Sequence, residues 1–419
     1  MKQFISFLEK SPTAEYAVKN VSNTLKNSGF TCLNESEQWN LTTEKSYYVT
    51  RGSSAIIAFK VPEKYDKFNF IGAHTDSPNL RLRHVPSEKN ENYIQHAVEI
   101  YGGVLLHTWI DRDLALAGKL IYKSEDGLKE QLVNVNKPIF KIPSLAIHLN
   151  RNVNEDGIKL NKHQHFNAIS GLVKLENENI SSILSYLAKE YSIDESSIKG
   201  FDLSLYDYNP PGVVGIKEEF ISSPRLDNLA MCYASINALV ESEPNSTIAF
   251  SVLFDHEEVG SESYTGAAGS FLSDCLARIE KSLDIKNMFE MKSQSYFISA
   301  DMAHAIHPNY KDRHDSLEFP LINKGPVIKY NANERYATNA ETEAYLIDLL
   351  DDNNIPYQRF TNRQDLACGS TIGPAISTRL GIKTIDIGNP MLSMHSIREL
   401  CGANDMYEII KLFKIFYSK

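Results

Sequence analysis

Apolar residues recur along this chain with two different periods, and the switches between them predict its elements. After Ser11-Pro12, Ala14, Val18, Val21 and Leu25 return on one helical face until Gly29. Serine suits an N-cap and proline the first helical position, so a helix is expected to open there. Apolar runs at 55–60 and 68–73 read as strands, the second leading into His74-Thr-Asp-Ser-Pro78. From about 85 to 223 the character changes. Short β-like stretches at 118–122, 131–135 and 138–142 alternate with turns, and one helix is expected over 180–191. After Pro224 helix and strand alternate again: Leu229, Tyr233, Ile236 and Val240 mark a helix over 227–241, followed by strands at 247–254, 296–300 and 382–387. This alternation implies an α/β sheet with helices on both faces and ligands at the carboxyl ends of its strands. The expected division is one domain from 1–85 plus 222–419 and an inserted β-rich domain at 86–221.

Bulk properties narrow the field. A chain of 419 residues with 42% hydrophobic content has enough apolar material for two cores. A net charge of −10, with lysine and arginine dispersed, argues against a nucleic-acid partner. The five cysteines are far apart and lack a Cys-x-x-Cys pair, which points to a reducing cytoplasm and away from disulfides or a thiolate metal site. Glu9 and Lys10 interrupt the N-terminal apolar run, and no later segment approaches ~20 uncharged residues, so neither a signal peptide nor a membrane span is expected.

Candidate chemistry centres on Glu257 and Glu258, which directly follow the apolar run 247–254. Two adjacent carboxylates at the mouth of a buried strand repel each other and lose solvation unless a cation or proton waits there. Four further segments place a ligand-type residue after a strand or at a helix start: His74 with Asp76, Asp227, Asp301 and His395. Each alone has an ordinary explanation. His74-x-Asp76 fits a solvated turn, Asp227 a helix-start acid, Asp301 a turn cap and His395 a half-buried histidine. Together, two imidazoles and several carboxylates without thiolate suit a pair of Zn²⁺, Co²⁺ or Mn²⁺ ions, whereas an all-oxygen set favours Mg²⁺ or Ca²⁺. A His-Glu-x-x-His zincin helix is excluded, because Gly260 stands where the second histidine belongs.

Six motifs (Gly72-Ala-His-Thr-Asp-Ser-Pro78, Ser223-Pro-Arg-Leu-Asp-Asn228, Asp255-His-Glu-Glu-Val-Gly-Ser261, Asp301-Met-Ala-His-Ala305, Gly325-Pro-Val-Ile-Lys329 and Met394-His-Ser-Ile-Arg398) resemble the aspartyl aminopeptidase family of di-zinc peptidases. The likeness runs from about residue 10 to the C-terminus and includes the inserted segment, through Tyr101-Gly-Gly and Ile142-Pro-Ser-Leu-Ala-Ile-His148. It implies a mixed sheet with helices on both faces and an inserted β-rich dimerisation domain. It further implies that Asp227 bridges two metals, that His74 and Asp301 complete one site, and that Glu258 and His395 complete the other. Glu257 is then left as general base, and Asp76 becomes the carboxylate that orients the His74 imidazole without touching metal.

An acidic first residue of the substrate requires positive charge in the side-chain pocket, and the resemblance points to Lys329 and Tyr336, with His148 from a neighbouring subunit. Taken alone, Lys329 reads as a surface lysine after a strand, Tyr336 as a packing aromatic, and His148 as a solvent-facing position of an alternating strand. The family's homo-dodecamers, built from dimers, imply small peptides as substrates. A broad-specificity metallo-aminopeptidase, a deacylase and a non-catalytic assembly protein are the competing readings. His304 and His307 suit a supporting role around Asp301, His163 and His165 a polar loop, and the spacing of Gly369, Gly373 and Gly388 matches no phosphate loop.

Overall fold

A computed structural model describes residues 1–85, 87–173 and 182–419. Its contacts divide the chain into two units: Met1–Ser77, Pro211–Met394 and Glu399–Lys419 form one, and Pro78–Pro210 with His395–Arg398 form the other.

The first unit is built on a nine-stranded mixed sheet. Across it run Thr31–Leu33, Lys45–Arg51, Ala55–Val61, Thr247–Phe254, Lys67–His74, Tyr296–Ala300, Lys383–Gly388, Val327–Tyr330 and Gln358–Thr361. The four strands from Thr247–Phe254 to Lys383–Gly388 are mutually parallel, and antiparallel pairing bounds them at Ala55–Val61 and Val327–Tyr330. Parallel strands covered on both faces must be apolar at consecutive positions. Thr247–Phe254 meets that requirement, since all eight of its residues are buried. Ile248, Phe250, Val252 and Phe254 pack with the helices Phe271–Leu283, Met288–Gln294 and Ile372–Leu380. Ala249 and Leu253 face the cluster that includes Ala14–Asn27, Leu226–Glu241, Ala340–Asp352 and Asp405–Ser418. The two faces differ in kind. One is aromatic, with Phe250 stacked on Phe59 and Phe70 at 5.3 and 4.7 Å between ring centroids. The other carries small residues, Ala58, Ala73, Ala249 and Ala300, which let the helices approach closely.

The opening of the chain departs from expectation. Its amphipathic helix spans Ala14–Asn27 with Thr13 at the N-cap, two residues later than Ser11-Pro12 suggests. Ser11 is instead fully buried, with its hydroxyl held by Asn20 Nδ2 and its carbonyl by Arg225 Nε, so this serine docks the helix and does not cap it. A preceding helix, Lys2–Lys10, buries Phe4 and Leu8.

The second unit is antiparallel. Gly127–Phe140, Leu114–Ser124, Ile198–Asp207, Asn79–Leu82 and Val98–Tyr101 form a five-stranded sheet around Leu80, Leu116, Leu120, Val133 and Leu203. The separate short stretches expected at 118–122, 131–135 and 138–142 are parts of one long hairpin. Its register breaks between Val135 and Phe140, across Pro138, which has no N–H to give to the ladder. The helix expected at 180–191 is Ile183–Glu190 with Ser182 as N-cap, and residues 180–181 lie outside the described residues. A three-stranded sheet, Ala168–Leu172, Tyr93–His96 and Glu88–Asn90, completes the unit.

Candidate metal centre

Parallel strands direct their carboxyl ends to one edge of the sheet, and the first unit gathers its polar residues there. His74 ends Lys67–His74 and pairs with Phe254, the last residue of Thr247–Phe254, while Asp301 directly follows Tyr296–Ala300. Asp227 sits at the start of Leu226–Glu241 with non-helical dihedrals, joined to Asn228 by a cis peptide bond. Its N–H donates to Glu399 Oε2 at 3.1 Å, and its carbonyl accepts the Ser77 hydroxyl at 2.6 Å. Asn228 is anchored in turn by a 2.9 Å bond to the Ala300 carbonyl.

These elements bring the ligand-type atoms together. His74 Nε2 lies 3.4 Å from Asp227 Oδ1, 3.8 Å from Asp301 Oδ1 and 3.9 Å from Glu257 Oε2. Ligand atoms of His74, Asp227 and Asp301 lie within 4.8 Å of one another, and so do those of His74, Glu257 and Glu258. Two ligands held tetrahedrally at ~2.0–2.1 Å from one zinc stand about 3.3 Å apart, so the spacing and the oxygen and nitrogen donors both fit a divalent cation. His74, Asp227 and Asp301 are buried, at 1, 3 and 7% exposure. Carboxylates this close in so dry a place need a positive partner. The titration directions say the same. Burial disfavours a charged His74, yet Asp227, Asp301 and Asp76 outweigh it and hold its pKa well above the ordinary value. Burial pushes Glu257 up to about 8; His74 opposes this, while Asp301, Glu258 and Asp227 add to it.

Asp76 is better connected than its motif alone conveys. His74 Nδ1 lies 3.1 Å from the Asp76 carbonyl and 3.4 Å from its Oδ1, which turns Nε2 toward the acids. The same carboxylate accepts the backbone N–H groups of Glu257 and Glu258, both at 3.1 Å. One buried aspartate therefore ties the imidazole to the loop that carries both glutamates. That loop passes through left-handed His256 into a 3-10 turn over Glu257–Val259 and leaves through Gly260, also left-handed. On its far side His256 Nδ1 meets the Ser263 hydroxyl at 2.9 Å. Cys232 completes the support, its thiol donating to the His74 carbonyl at 2.9 Å. Nothing in the residue pattern around Glu399, Ser77 or Cys232 signals these contacts, because each bridges segments distant in the chain.

Lys329 is not the surface lysine that its sequence position suggests, whereas Tyr336 packs with Ala303, Val327 and Phe360. Lys329 lies within Val327–Tyr330 at 3% exposure, with Nζ 3.8 Å from Asp301 Oδ2 and 5.4 Å from the centre of the Tyr336 ring. Tyr336 is 6% exposed. His395 and His148 belong to the second unit. His395 is left-handed, with Nδ1 3.0 Å from the Gly103 carbonyl. His148 occupies an exposed 3-10 turn, Ile147–Leu149, where an alternating strand was expected; no neighbouring strand pairs with it among the described residues. His304 is exposed at a two-residue strand, and His307 Nδ1 accepts the Asn309 N–H, so the latter closes its own turn. His165 likewise accepts the Asn161 N–H in an exposed loop.

Comparison with known proteins identifies the family. The family described as aminopeptidase I zinc metalloprotease (M18) matches residues 7–417. An aspartyl aminopeptidase of Dictyostelium discoideum is 43% identical over 465 aligned residues, covering 100% of this chain and 96% of that protein. A chain from the cryo-EM structure of the Ape4 and Nbr1 complex is 40% identical with a TM-score of 0.95, covering 99% of this chain and 85% of its own. The S. cerevisiae mApe1 dodecamer structure is 28% identical with a TM-score of 0.85, covering 99% and 95%. This chain belongs to the M18, or aminopeptidase I, family of zinc metalloproteases and is a metallo-exopeptidase hydrolase.

Proposed function

We propose that the protein is an aspartyl aminopeptidase, removing single N-terminal residues, preferentially Asp or Glu, from short peptides. The observation that carries this reading is a buried ammonium, Lys329, beside the acid cluster, since a dry fixed cation selects an anionic side chain. His74, Asp227 and Asp301 would hold one divalent ion; Asp227 with Glu258 and, by family resemblance, His395 would hold a second, zinc being the first choice and cobalt or manganese alternatives. When bound, such ions acidify a water and polarise the scissile carbonyl.

The chain's own residues do the rest. Asp76 holds Nε2 of His74 toward the acids and fixes the glutamate loop. Glu257, free of a ligand role, takes a proton from the attacking water and returns it to the departing amine. The acid cluster also suits the free α-amino group of the substrate, which accounts for trimming at an N-terminus. Lys329 and Tyr336 receive the acidic side chain. His148 joins them from a neighbouring copy in a homo-dodecamer built from dimers. The exposed turn that carries it, flanked by exposed Leu145, Ile147 and Leu149, supports that placement, as does the dodecamer formed by the S. cerevisiae relative. The cytoplasm is the proposed compartment, in keeping with five free cysteines; among the described residues no helix is long and apolar enough to cross a membrane.

Hydrolysis of Asp-, Glu-, Leu- and Lys-amides by zinc-reconstituted enzyme tests the proposal. Asp or Glu should turn over fastest. Equal rates on all four would remove the acidic pocket and favour the broad-specificity reading, and absence of turnover would favour the non-catalytic one.

A further inference from the structure

Asp386 is fully buried in Lys383–Gly388, at 0% exposure. That strand pairs antiparallel with Val327–Tyr330 through Val327 with Gly388 and Ile328 with Ile387, so the next position of the register sets Asp386 beside Lys329. Three hydrogen bonds leave it in two directions. Its Oδ2 accepts the Ala337 N–H at 2.6 Å, and its own N–H donates to the Thr338 hydroxyl at 2.8 Å. Its Oδ1 accepts the Thr371 hydroxyl at 2.5 Å. Thr371 is the N-cap of Ile372–Leu380, its hydroxyl oxygen accepting the Gly373 N–H at 3.2 Å. Gly373 presses so close that any Cβ there would collide with the Asp386 carboxylate.

Burying a carboxylate is costly, and an apolar residue would serve the sheet itself better. What the acid provides is a fixed distance between two segments. One runs from Tyr336 through Thr338. The other leads from Cys368 to Thr371, and Cys368 packs against the small cluster of Ala303, Val327, Tyr336 and Phe360. The first borders the ammonium of Lys329, 5.4 Å from the Tyr336 ring centre, and the second reaches it through the packing of Cys368 on the cluster that holds Tyr336.

We propose that Asp386 is the positioning residue of the side-chain pocket: it clamps the Tyr336–Thr338 segment and the start of Ile372–Leu380 about Lys329, and so sets the geometry in which the substrate's first side chain is received. Asp386 touches no substrate; it acts through Tyr336 and Lys329. The inference rests on the reading of those two residues as pocket walls.

The test compares wild type with Asp386→Asn and Thr371→Val, each zinc-reconstituted, on whichever residue amide the wild type hydrolyses with the highest kcat/KM. Asparagine keeps the shape but offers a single acceptor oxygen; valine removes only the threonine leg. Asp386→Asn should raise KM about tenfold and Thr371→Val about threefold, with kcat within threefold and metal content unchanged in both. An unchanged KM, or a loss that falls on kcat or metal content, would overturn the proposal. Should Asp386→Asn fail to fold, Thr371→Val decides alone by the same criterion. The wild-type substrate preference is read separately, so a failed acidic-pocket reading and a failed Asp386 role give different results.

Discussion

Two strands, one from each unit, show how differently the molecule uses its sheets. Thr247–Phe254 is buried at every position, whereas most positions of Gly127–Phe140 are exposed or half-exposed and only Val133, Val135 and Phe140 are buried. A strand packed on both faces is a rigid support, and its end can hold charges that solvent would otherwise scatter. Glu257, pushed up to about 8 by burial, and Asp255, pushed up to about 6 by burial and by Asp76, both stand just beyond Phe254. In the inserted unit the large downward shift falls on His96, which burial lowers to about 4. The first unit gathers charge at the end of its sheet, whereas the second packs around Leu80, Leu116 and Leu203 and keeps the His96 imidazole neutral.

The difference is sharpest in stability. Phe250→Ala removes a ring stacked on two others and should cost about 3–5 kcal/mol in chemical denaturation, whereas Leu128→Ala, at a position 69% exposed, should stay within about 0.5 kcal/mol. Equal losses would mean that the two sheets are not packed differently.

Acid should act next. His96 lies between the Ser87 and Ser170 hydroxyls, at 3.1 and 2.7 Å, and edge-on to Phe140. Its folded pKa is depressed, so the neutral ring contributes stability above about pH 6.5 that is lost as pH falls toward 4. The loss should reach about 3 kcal/mol, and His96→Gln should flatten that part of the pH dependence of the denaturation midpoint. An identical slope in the variant would assign the acid sensitivity elsewhere.

A smaller effect is expected at Asp76. Asp76→Asn keeps one acceptor but cannot receive both glutamate N–H groups while also holding His74 as an anion, so zinc affinity measured against a competing chelator should fall about 10–100-fold. Unchanged affinity would separate the loop anchor from the metal centre.

Much of this architecture is legible in the residue pattern wherever burial is two-sided. The strands expected at 247–254 and 296–300 coincide with Thr247–Phe254 and Tyr296–Ala300, because a continuous apolar run leaves little choice. The helix Lys2–Lys10 is too short for its apolar positions, Phe4, Ile5, Phe7 and Leu8, to distinguish a helical period from a plain apolar run. The long hairpin of the inserted unit reads as fragments in the sequence, because polar residues on its exposed face and Pro138 interrupt any apolar signal. At the candidate metal centre, His74, Asp227, Glu257, Glu258 and Asp301 stand out by type and order. Asp386 and Glu399 do not, since an acid inside a strand has meaning only once segments far apart in sequence meet around it. The burial of Lys329 is invisible for the same reason.

Anomalous diffraction at the zinc absorption edge, from crystals grown with zinc, tests the metal centre most directly. Two peaks should appear, one within ~2.1 Å of His74 Nε2 and bound by Asp301, with Asp227 reaching both. Diffraction without an anomalous peak among His74, Asp227, Glu258 and Asp301 would contradict the reading of these buried acids as a cation site.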